Sequence, residues 1–72
     1  MEVGDSVYKF IELVGTSEKS WEDAVNNIVT EAAKHLKDLR VAEVVRLDVK
    51  IAENKIVTYR AKVKLSFKYR TE

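Results

Sequence analysis

The stretch VRLDVKIAENKIVTYRAKVKLSFKYR, residues 45–70, alternates apolar and charged side chains on both sides of Glu53-Asn54-Lys55. A period of two belongs to strands, whose successive side chains point to opposite faces. Val45, Leu47, Val49 and Ile51 share one face against Arg46, Asp48 and Lys50. Tyr59, Ala61, Val63, Leu65, Phe67 and Tyr69 do the same against Arg60, Lys62, Lys64, Ser66, Lys68 and Arg70. The segment predicts a hairpin of strands over 41–52 and 56–70. Because the odd-numbered residues are apolar in both strands, odd must pair with odd; a two-residue loop would split the core between faces. A three-residue loop, Glu53-Asn54-Lys55, is therefore expected, pairing Ile51 with Val57, Val49 with Tyr59 and Leu47 with Ala61. Asn54 suits a left-handed turn conformation.

Upstream, the period changes. Trp21, Ala24, Val25, Ile28, Val29, Ala32, Ala33, Leu36 and Leu39 recur at helical spacing and predict a helix over 21–39. Ser20 is its expected N-cap, with Asp23 three residues on, and Glu22 and Asp23 suit the positive end of the helix dipole. Thr16 and Ser17 can cap the same end or hold an anion there. Residues 6–14 are dense in Val, Tyr, Phe, Ile and Leu and predict a first strand ended by Gly15. A right-handed crossover from strand one through the helix leaves a gap for strand three. The expected fold is α+β, a β-α-β-β unit with a three-stranded antiparallel sheet in the order 1-3-2, wrapped on one helix.

With 72 residues, the chain predicts one domain over 1–72. Hydrophobic residues make up 46% and charged residues 35%, which excludes a disordered chain. With no Cys there is no disulfide staple and no thiol chemistry. A net charge of +1 selects no class of partner. The apolar runs are too short to span a bilayer, and Met1-Glu2-Val3-Gly4-Asp5 lacks the basic and apolar regions of a signal peptide, so no membrane partner and a cytoplasmic location are expected.

A helix of about 19 residues is roughly 28 Å long at ~1.5 Å per residue. A strand of about 14 residues reaches roughly 46 Å at ~3.3 Å per residue. The helix therefore leaves part of the apolar face bare, and further copies of the chain are the simplest cover. No nucleophile–His pair, phosphate loop or metalloenzyme motif is present, so an enzyme is not expected. His35 is the only His and sits at the rim of the helix stripe. Trp21 is expected to pack under the sheet. The basic row Arg60, Lys62, Lys64, Lys68 and Arg70 reads as a solvated or salt-bridged face. A small anionic ligand is its alternative, while nucleic acid is not expected without an aromatic in the row.

Four stretches resemble one family: VYKFIELVGTS (7–17), SWEDA (20–24), RVAEV (40–44) and YRAKVKLSFK (59–68) are similar to dodecins. The Gly-Thr-Ser-x-x-Ser-Trp run is the most specific of them. The resemblance implies a β-α-β-β subunit of a hollow dodecamer and a binding and storage role without catalysis. It commonly implies a flavin (riboflavin, FMN or FAD) at subunit contacts. Flavin-binding members carry a Trp that stacks on the ring and a Gln that bonds its edge. Those positions are Val41 and Arg60 here, with the nearby Glu43 retained. Valine offers no π face, and arginine only donates.

Flavin is therefore expected to bind weakly or not at all, through a site implied to comprise Val41, Glu43 and Arg60. Glu43 has the parity of the core face. Either a bulge at Val44-Val45 turns it outward, or it pairs across a subunit contact, or it serves a ligand or cation. It is also the expected acceptor for Arg60. Glu12, Glu43, Asp48 and Glu53 can gather at symmetry axes around a hard divalent cation such as calcium. A shell that holds cations or another small anion is thus the alternative to a flavin store.

Overall fold

A computed structural model describes residues 7–69. The elements are β1 (Tyr8–Ser17), α1 (Trp21–Ala33), β2 (Leu39–Ala52) and β3 (Lys55–Lys68). The sheet is antiparallel in the order β1-β3-β2, as the crossover argument requires. Ser6 and Arg70, the expected outer ends of two strands, lie outside the described residues.

Gly15 does not end β1; the strand continues to Ser17. The glycine is there because α1 crosses directly over it. A Cβ at this position would stand 2.4 Å from Ile28 Cγ1 and 2.6 Å from the Ala24 carbonyl oxygen. The helix then starts as expected. Ser20 is extended, and its hydroxyl accepts from the Asp23 N–H at 3.0 Å. The Asp23 carboxylate accepts a hydrogen bond from the Ser17 hydroxyl at 2.7 Å. Ser17 Oγ accepts in turn from the Lys19 N–H at 2.9 Å. Ser17 is buried, so this network gives it a capping role that satisfies its hydroxyl.

The helix stops at Ala33, six residues before the expected Leu39. The N–H groups of His35 and Leu36 both bond to the Ala32 carbonyl, at 3.0 and 2.9 Å, and Asp38 takes a left-handed φ of 62° to turn the chain into β2. Leu36 and Leu39 nevertheless pack on the core. They keep the helical spacing of the apolar pattern while belonging to a loop and a strand.

The hairpin also differs from expectation at its tip. Glu53 and Asn54 both have left-handed φ, 53° and 63°, between paired Ala52 and Lys55. This is the two-residue hairpin turn whose twist matches its strands. The parity conflict is resolved by an irregularity at Lys50/Ile51. Ile51 pairs with Ile56 instead of Val57, and the extra residue restores the expected Val49–Tyr59 and Leu47–Ala61 pairs. A second shift falls between Val44 and Arg46, so Val44 faces Val63 and the parity of β2 reverses beyond it.

Ala24, Ile28 and Ala32 of the helix meet Ala61, Val63 and Leu65 of β3 in the buried core, flanked by Ile11 and Leu13. Small residues at 24, 32 and 61 let helix and sheet approach closely. The molecule measures 52 × 20 × 18 Å, whereas a 13-residue helix is about 20 Å long. Leu47 and Val44 on the helix side remain nearly half exposed, and Ile51 and Ile56 at the hairpin end more so. The bare apolar surface expected from element lengths is present.

Candidate functional site

The face of the sheet turned away from α1 carries the charged residues, and register fixes them in rows across three strands. Thr16, Arg60 and Asp48 form one row; Val14, Lys62 and Arg46 the next; then Glu12, Lys64 and Glu43; then Phe10, Ser66 and Val41. The shift at Val45 is what brings Glu43 onto this face. Read by simple parity it belongs to the core face; in the fold it is exposed and opposite Lys64.

Arg60 is bonded to Asp48, not to Glu43 as expected. Its Nε donates to Asp48 Oδ1 at 2.7 Å, and a terminal nitrogen donates to Oδ2 at 3.1 Å. This two-pronged geometry is the strong form of an Arg–carboxylate contact. The hydrogen bond from Arg60, with its positive charge and that of Arg46, holds the Asp48 carboxyl below its ordinary value; burial opposes this more weakly. The Arg60 guanidinium is shifted upward by the same bond. Both side chains are partly exposed, so solvent screens the pair. On the opposite side of β2, the Trp21 indole N–H donates to the Asp48 carbonyl at 3.0 Å, and its ring meets Tyr59 edge-on at 5.3 Å. Trp21 thus packs against the sheet and fixes the backbone that presents the carboxylate.

Val41, Glu43 and Arg60 share this face but do not converge in one chain. Val41 lies opposite Ser66, six residues along β3 from Arg60, or roughly 20 Å at ~3.3 Å per residue. Glu43 is four residues along β3 from the Arg60 row. Lys64 rests its ammonium over the Phe10 ring, 4.6 Å from the centroid. His35 is exposed, 3.8 Å from Glu31, in keeping with a rim position.

Asp48 is the residue that reasoning from the sequence passed over as Arg60's partner. Its signal was present, since pairing Leu47 with Ala61 and Val49 with Tyr59 sets Asp48 opposite Arg60. Among the described residues, no three Asp, Glu, His or Cys side chains gather as a metal site. No helix among them is long and apolar enough to cross a membrane.

A family model described as Dodecin matches residues 7–70. A calcium dodecin of Mycobacterium tuberculosis is 43% identical over 65 residues, 90% of this chain and 92% of that protein. The crystal structure of that organism's calcium dodecin, a calcium-chelating antigen, superposes with a TM-score of 0.80 at 43% identity, over 90% of this chain and 93% of the other. A dodecin of Streptomyces coelicolor superposes with a TM-score of 0.89 at 28% identity, over 97% of this chain and all of the other. Sequence match and superposition agree: the chain belongs to the dodecin family, whose members are small binding and storage proteins and not enzymes.

Proposed function

We propose that the chain, as one domain over residues 1–72, is the subunit of a hollow homododecamer in the cytoplasm. In this reading the shell stores a hard divalent cation of the calcium class, and flavin is not its ligand. The observation that carries the reading is the Arg60–Asp48 pair. The Nε edge of the guanidinium is engaged, so the side chain at the ring-edge position is held toward Asp48 within its own subunit. Val41 at the stacking position is exposed and aliphatic. A ring placed there meets neither a π face nor an amide. The 43% identical calcium dodecin supports a cation in its place.

Calcium takes six to eight oxygens at about 2.3–2.6 Å. One chain does not supply them, since its described carboxylates do not cluster in threes. Glu12 and Glu43, exposed on either side of Lys64, are the carboxylates left available on the charged face, and Glu53 stands at the hairpin tip. The reading therefore places the cation where copies meet and oxygens from several chains combine. Isothermal titration of the assembled, chelator-treated protein with calcium, and separately with riboflavin, tests it. Saturable calcium binding that weakens in Glu43→Gln or Glu12→Gln, with little flavin binding, is expected. Tight flavin binding with no calcium heat overturns it.

A further inference from the structure

We propose that the cleft between Arg46, Lys62 and Arg60 is a binding site for a small tetrahedral oxyanion of the phosphate class. The cleft is lined by Val14, Arg46, Asp48, Arg60, Ala61 and Lys62 and encloses about 140 Å³. That is well below the roughly 300 Å³ at which pockets begin to hold drug-sized molecules, so its occupant is an ion or a single small group.

Three cations face this space and one carboxylate does. Asp48 spends both oxygens on Arg60. Arg46 and Lys62 are direct cross-strand partners. Like charges so placed sit about 4.5–5.5 Å apart at Cβ and repel. Neither has an ion-pair partner among the described residues. Lys62 is half-buried between the other two strands, which limits how far its stem can swing away. Apart from Asp48, which is held by Arg60, the acidic residues of this face, Glu12 and Glu43, are aligned with Lys64 one row further on. An oxyanion seated between Arg46 and Lys62 converts the repulsion into two charge-assisted hydrogen bonds, with the Asp48-held Arg60 as a fixed wall. The inference is independent of the cation reading.

The test is a titration of the assembled protein with inorganic phosphate at low ionic strength, with a calcium chelator present, followed by calorimetry and phosphorus NMR line width. Saturation below about 1 mM is expected, with chloride at equal concentration failing to compete. Lys62→Gln or Arg46→Gln should weaken binding about tenfold or more, as loss of one charge-assisted bond implies. Lys64→Gln, outside the cleft, should change it less than about twofold by the same reasoning. Sedimentation confirms that each variant assembles. Absence of saturation in the unmodified protein overturns the proposal whatever the variants do. So does equal loss in Lys64→Gln, which would show a diffuse field of the basic row and no site.

Discussion

Replacing Gly15 by alanine adds one methyl group at the place where α1 crosses β1. That methyl would stand 2.6 Å from the Ala24 carbonyl oxygen and 2.4 and 2.8 Å from Ile28 Cγ1 and Cδ1. Ile28 is 4% exposed and has little room to rotate. The Ala24 carbonyl belongs to the helix backbone, so relief requires the whole helix to move by about 0.8 Å to reach ordinary contact near 3.4 Å. Alanine would otherwise help, since glycine inside a regular element costs about 0.5–1 kcal/mol. Overpacking of a tight core costs about 1–3 kcal/mol. The clash should win, and Gly15→Ala is expected to lose about 1–2 kcal/mol net. At about 4–8 °C per kcal/mol for a domain of this size, the melting temperature should fall by roughly 4–16 °C. Because assembly shifts apparent stability by mass action, both proteins are melted at one protomer concentration. A Gly15→Ala protein that melts at or above the parent temperature refutes the account of why α1 can lie so close to the sheet.

Asn54→Gly relieves a left-handed φ of 63° in the hairpin turn and should raise stability by about 0.5–1 kcal/mol, read by urea unfolding. The Val41→Trp/Arg60→Gln double variant should quench riboflavin fluorescence at several-fold lower concentration than the parent, about the worth of one stacking contact; no gain would show that these positions do not govern flavin. The Asp48 carboxyl is depressed by Arg60, so its contribution is fully present above the unfolded value of about 3.9 and is lost as pH falls through the lower folded value. The difference in melting temperature between parent and Asp48→Asn should hold at neutral pH and narrow as pH falls below the ordinary carboxylate range, and the absence of any gap at neutral pH would count against the pair.

Much of this architecture was legible because two periods are written plainly into the chain. Alternation in 45–70 located the hairpin and its central pairs, and the stripe from Trp21 to Ala32 located the helix face. The end of that helix was not legible. Leu36 and Leu39 keep helical spacing while packing on the core from a loop and a strand. Gly15 reads as a breaker, and only the approach of Ile28 and Ala24 reveals a packing glycine. The tip register could not be read by parity, because β3 absorbs Val57 as an extra residue opposite Lys50 and Ile51 and permits the shorter turn. For the charged face, register alone set Asp48 opposite Arg60. The shift at Val45, which moves Glu43 outward beside Lys64, has only the doubled Val44-Val45 as its trace.

In the proposed reading, further copies of the chain cover the bare apolar flank and complete the divided site. Leu47, Val44, Ile51 and Ile56 are left exposed by one short helix, and positions 41 and 60 stand roughly 20 Å apart on one sheet. Native mass spectrometry of the protein, mixed with calcium and riboflavin together, tests this directly. With a subunit of 8.3 kDa, the account predicts a closed dodecamer near 100 kDa carrying calcium adducts and no flavin. A stable 8.3 kDa monomer, or an assembly loaded with flavin and free of calcium, would contradict it.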